Sequence, residues 1–132
     1  MPCSQTQPGT DSLPRSAIFY RLTKRNHPVR EIIAELNQQL KESIPIGRFV
    51  AATLVSLDEV TQTGEIWVGG TPSAFMFDRW GRRTHEFLST NLPLGIVDNQ
   101  TLSCTPLPFT WGKEDQLVIC SEEVKVPSYG WD

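Results

Sequence analysis

The chain has 132 residues and a mass of 14.9 kDa, enough for one domain with one core and too little for two ordinary ones. Hydrophobic residues make up 39% and charged residues 20%, and the 10 Pro and 9 Gly spread along the chain require many turns, so the composition excludes both disorder and a fibrous repeat. No apolar run approaches the roughly 20 residues of a membrane span, and the opening MPCSQTQPGT lacks the basic and apolar stretches of a signal peptide, so a cytoplasmic location and no membrane partner are expected.

The net charge of -3 is uneven. Residues 1 to 48 carry seven Lys/Arg against four Asp/Glu, and residues 49 to 132 carry five against eleven, so +3 and -6 sum to the total. A +3 segment without interleaved aromatics does not point to nucleic acid, whereas an acidic protein partner suits it. Cys3, Cys104 and Cys120 form an odd set without CxxC spacing, which indicates neither a disulfide framework nor a cysteine-rich zinc site. Cys104 and Cys120 are expected as small apolar residues in strands.

Residues 1 to 12, with Pro2, Pro8 and Gly9, read as a flexible arm, residues 13 to 126 as the domain and 127 to 132 as a tail. A first helix is expected from Asp11 or Ser12 as cap to about Arg25, with Ala17, Ile18, Phe19 and Leu22 as its apolar side. Arg21, Lys24 and Arg25 close its last turn, where cations suit the helix dipole and where a partner could bind. Pro28 then fits the first position of a second helix, capped by Asn26 or His27. Its apolar residues Val29, Ile32, Ile33, Leu36 and Leu40 recur at helical spacing, and it ends before Pro45 and Gly47. After Gly47, FVAATLVSL reads as a buried strand, residues 58 to 64 as a hairpin connection, and EIWVGG and SAFMFD as strand segments interrupted near Gly69, Gly70 and Pro72. Arg79, Trp80 and Gly81 form a turn, RRTHEFL an alternating and more exposed strand, TLSCTPLPF an edge or broken strand, and DQLVICS a last buried strand. The fold class is α+β, with two N-terminal helices packed on a mostly antiparallel sheet of four to six strands.

Catalytic signatures are sparse in the chain. There is no GxSxG, Walker loop or dinucleotide fingerprint. His27 reads as a cap or surface residue and His85 as an exposed strand residue, since no second ligand lies at metal spacing. Trp67 is expected in the core, and Trp80 and Trp111, beside glycines, as turn packing. Glu122 and Glu123 follow a buried strand, but adjacent strand residues point to opposite faces, so the two cannot share one site.

The order of motifs carries a resemblance. The helix HPVREIIAELNQQLKES with its Leu36-Asn37 pair, the strand GRFVAATLVSLD, the segment GEIWVGGTPSAFMF, the turn Leu92-Pro93-Leu94-Gly95 and the strand WGKEDQLVICSEEV resemble the C-terminal half of the SpoIIE-like branch of the PPM serine/threonine phosphatases, over residues 13 to about 124. The resemblance implies part of a PPM α/β sandwich and a hydrolase that uses two Mg²⁺ or Mn²⁺ ions held by Asp carboxylates, which make a bridging water nucleophilic. Three positions depart from the pattern. Thr71 stands where a Gly-His-Pro segment has His. Gln7 falls about where an Asp-x-x-Gly-His-Gly segment has its metal Asp. Ser121-Glu122-Glu123 replaces a Ser-Asp-Gly turn, so Glu122 would be a metal ligand only in an active form, with Asp11 the other carboxylate at hand.

The resemblance therefore implies a non-catalytic, pseudophosphatase-like regulatory or protein-interaction module of bacterial signalling, in response-regulator or sigma-factor control, with no cofactor. Its partner would be a receiver domain or a sigma-factor regulator. The alternative is an Mn²⁺- or Mg²⁺-dependent phosphoserine/phosphothreonine phosphatase that is active only with its missing N-terminal half. Half of a sandwich leaves one sheet face without a partner, which leads us to expect a homo-oligomer or pairing with that half. A plain α+β domain binding a small ligand near Gly69 and Gly70 is a third reading.

Overall fold

The computed structural model describes residues 27–45 and 47–120. The arm, the first helix with Arg21, Lys24 and Arg25, the tail, and Gln7, Asp11, Glu122 and Glu123 lie outside the described residues.

Helix α1, Val29–Ser43, forms where the sequence places its second helix. Pro28 stands one residue earlier than expected, as the cap itself. Its backbone is extended, and its carbonyl accepts the amides of Glu31 and Ile32 at 3.0 and 3.1 Å. The helix ends at Ile44, whose amide donates to the Leu40 carbonyl, because Pro45 disfavours helical dihedrals in the residue before it. Glu31 in the first turn and Lys41 in the last match the helix dipole.

Six strands follow: β1 Ala52–Asp58, β2 Thr63–Gly69, β3 Ala74–Phe77, β4 Arg83–Phe87, β5 Leu107–Thr110 and β6 Gln116–Val118. They pair antiparallel into two sheets, ordered β1-β2-β5 and β4-β3-β6. The α+β class with antiparallel sheets holds, and α1 is the helix present among the described residues.

The layers are helix, sheet, sheet. Val29, Ile32, Ile33, Leu36 and Leu40 pack on Leu54, Trp67 and Leu94, whereas Ile66 and Val68 join Ala74, Met76, Phe87 and Phe109 in a second cluster between the sheets. Strand β2 therefore alternates Trp67 toward the helix and Ile66 and Val68 toward the second sheet, and it is buried on both faces. Gly64 on this strand leaves room for the Phe109 ring, which a Cβ would approach to 2.5 Å.

Three expectations are corrected here. The apolar runs around β1 and β6 are not buried on both faces. In β1 only Leu54 is fully buried, and β6 leaves Val118 exposed, because both are edge strands with one neighbour. EIWVGG and SAFMFD are separate strand segments with the break at residues 70–73, as expected, and the chain leaves the first sheet at Gly69 and enters the second at Ala74. Neither Cys104 nor Cys120 lies in a strand, and the expectation of no disulfide fails at Cys104, which is buried and disulfide-bonded, whereas Cys120 is free.

Candidate functional site

The turn Leu92–Gly95 is tied to the helix by a buried amide. Asn37 is fully buried, and its Oδ1 accepts the Gly95 amide at 2.8 Å. Its Nδ2 donates to the Val97 carbonyl at 2.9 Å and to Asn99 Oδ1 at 2.8 Å. Asn99 Nδ2 donates in turn to the Ala34 carbonyl at 3.0 Å. These bonds satisfy groups that the dry side of the helix would otherwise strand, and they fix Leu94 in the helix-side core. Leu94 also exchanges both backbone bonds with Val50, at 2.8 and 2.9 Å, which joins the turn to the approach to β1.

The other side of the turn meets the chain crossing between the sheets. Gly70 has φ +86°, and a Cβ there would lie 2.4 Å from Pro93 Cγ, so only glycine fits without displacement. Asn91 Nδ2 donates to the Val68 carbonyl at 3.1 Å, and the Gly70 amide donates to Ser89 Oγ at 2.7 Å. Thr71 is buried, and its hydroxyl lies 2.6 Å from that of Thr53 on β1. The break near Gly69 and Gly70 is thus a close backbone approach, and it serves packing against Leu92 and Pro93.

A cleft of about 650 Å³ opens where β1, β2 and β5 meet β4, lined among others by Ser56, Asp58, Glu65, His85, Pro108 and Phe109. His85 is exposed, as its alternating strand implies, and stacks parallel on Phe87 with ring centroids 5.7 Å apart. Its Nδ1 lies 3.2 Å from Thr84 Oγ1, and it makes no hydrogen bond to Ser56, so the cleft holds no paired base and nucleophile. His27 pairs with Glu31 at 2.9 Å on the surface.

The tryptophans divide. Trp67 is core, with Nε1 donating to the Ser103 carbonyl at 2.9 Å. Trp111 packs against the inter-sheet cluster and donates to the Thr63 carbonyl at 3.0 Å. Trp80 is not packed in its turn; it is 70% exposed. Asn99, the second half of the buried amide pair, escapes sequence reasoning, because a polar residue in a Ser/Thr/Asn-rich connection reads as solvated. Among the described residues no group of three or more His, Cys, Asp or Glu is placed to hold a metal; the candidate ligands Asp11 and Glu122 lie outside them.

The family model for Stage II sporulation protein E (SpoIIE) matches residues 12–122. The chain belongs to the SpoIIE-like PPM phosphatase family. No curated protein and no solved structure matches it. The match spans α1, the six strands and the Leu92–Gly95 turn of this SpoIIE domain.

Proposed function

We propose that this SpoIIE domain is a non-catalytic regulatory module of bacterial signalling that works by binding a protein partner in response-regulator or sigma-factor control. The observation that carries the reading is Thr71. At the place of the family's histidine the chain presents a short hydroxyl side chain, buried and turned onto Thr53, which offers nothing to a metal-bound phosphoester. The sequence supports the same reading at Ser121-Glu122-Glu123, where Glu122 is one methylene longer than Asp and Glu123 removes the glycine of a tight turn. Gln7 is neutral and a poor substitute for a bridging carboxylate.

The second reading, a phosphatase completed by another half, rests on Glu122 retaining a carboxylate. The two are separated by assaying the purified chain with Mn²⁺ against p-nitrophenyl phosphate and a phosphoserine peptide. No metal-dependent turnover is expected; turnover abolished by Glu122→Ala would establish the enzyme instead.

A further inference from the structure

The two sheets differ in what covers their outer faces. Helix α1 covers that of β1-β2-β5, whereas among the described residues no helix packs on the outer face of β4-β3-β6. Ala74, Met76, Phe87 and Leu117 of this second sheet turn inward, so Phe75 and Phe77 alternate outward, and Val118 lies opposite Phe75 in register. Phe75 and Phe77 are half-buried with ring centroids 6.3 Å apart, and Val118 is 40% exposed, which makes an apolar strip across two strands.

The strip runs into the β3–β4 hairpin, which holds Trp80 in solvent on a rigid support. Asp78 Oδ1 accepts the amides of Trp80 and Arg82, both at 2.9 Å. The Asp78 amide donates to the Arg82 carbonyl and the Gly81 amide to the Asp78 carbonyl, with Gly81 at φ +78°. The Arg79 and Arg82 guanidinium carbons lie 5.0 and 5.8 Å from the Trp80 ring centroid, and that of Arg83 lies 5.4 Å from the Phe75 ring. These are three of the five Lys/Arg in residues 49 to 132, gathered within five positions of an acidic segment. Three acids stand near them: Asp78 in the same turn, its Oδ1 taken up by the Trp80 and Arg82 amides, Glu114, paired with Arg79 at 2.9 Å, and Glu86, beside Phe75 in register.

We infer that the outer face of β4-β3-β6, with the Trp80 hairpin at its rim, docks an amphipathic helix with an acidic edge from a partner protein. The inference rests on the reading of this domain as a binding module. A helix suits the site because the central strand β3 is hydrogen-bonded on both sides, so its face offers side chains and no free backbone. An acidic edge suits Arg82 and Arg83, which have no ion pair among the described residues, and Trp and Arg on a preformed turn are the residue types that dominate interface energies. A nucleic-acid strand suits it less, since three arginines do not make a basic track on a chain of net charge -3.

The test is selection of a displayed library of helical 18-residue peptides on the intact chain, followed by titration of the tightest peptide against wild type, Trp80→Ala, Arg82→Glu and a control, Arg48→Glu. Both target residues are solvent-exposed, so the variants should unfold at the wild-type midpoint. We expect enriched peptides with apolar residues at i, i+3 and i+4 beside Asp and Glu, and binding weakened about tenfold or more by each target substitution and unchanged by the control. The inference is overturned by a failure to enrich, by basic or non-amphipathic winners, or by equal binding of the variants. Tighter binding of a single-stranded thymidine 20-mer through the same residues, or self-association lost in Trp80→Ala, would also overturn it. None of these outcomes depends on metal or turnover, so the proposed lack of catalysis stands or falls separately.

Discussion

Asn37 shows how much one side chain can organise. It sits on a helix whose neighbours Ile33, Leu36 and Leu40 form the core, and an amide with no exposure is tolerated there only because each of its polar atoms is met. Asn37→Ala would leave the Gly95 amide, the Val97 carbonyl and Asn99 without that partner. An unmet buried group costs about 1–3 kcal/mol, so the variant should lose about 3 kcal/mol or more, read as a lower midpoint in urea unfolding. Gln38, one residue along, bonds only to Glu42 at the surface, and Gln38→Ala should stay within about 0.5 kcal/mol. At Gly70 the penalty would come from the backbone. With φ +86° and Pro93 Cγ 2.4 Å from an added Cβ, Gly70→Ala should cost about 1–3 kcal/mol in the same assay, and an unchanged midpoint would mean that the crossing can shift.

Strands carry a harder sequence signal than the helix, and β2 and β6 show why. Trp67→Ala on β2 removes a ring packed under the helix, together with its bond to the Ser103 carbonyl, and should cost about 3–5 kcal/mol. Val118→Ala on the edge strand β6 should cost less than about 1 kcal/mol, although DQLVICS is the more continuous apolar run. Similar costs for the two would show that β6 is covered in solution. Helix α1 was legible because 3.6-residue spacing, Pro28 and Pro45 are local signals, and strand positions were legible from β-branched runs and turn residues. An apolar run does not say which sheet a strand joins or whether it lies at an edge, because pairing is decided by residues far along the chain. The same limit applies to the site. The glycines of the crossing and the Leu92–Gly95 turn could be read from sequence. Asn99, 62 residues from Asn37, could not, and the exposure of Trp80 depends on the hairpin lifting it away from both sheets.

For the whole molecule, one of the sheet faces expected to lack a partner is covered by the chain itself. The face of β1-β2-β5 turned away from α1 is closed by this chain's own second sheet, through Ile66, Val68, Met76, Phe87 and Phe109. Among the described residues the surface left uncovered is the outer face of β4-β3-β6 and the sheet edges, while the proposed lack of catalysis rests on Thr71 and the Ser121-Glu122-Glu123 segment. This separation allows a test of catalytic capacity that needs no substrate. A ligand bound only by the native state stabilises it in proportion to the logarithm of its saturation, and a two-ion centre filled to about a thousand times its dissociation constant would add about 4 kcal/mol. For a domain of this size that is a rise in unfolding temperature on the order of 10 °C. Since Thr71 faces Thr53, the proposed non-catalytic reading leads us to expect Mn²⁺ or Mg²⁺ to move the midpoint by no more than calcium does, and Glu122→Ala to leave that response unchanged. A rise specific to Mn²⁺ that disappears in Glu122→Ala would place an ion at that carboxylate and favour the phosphatase reading over the binding module.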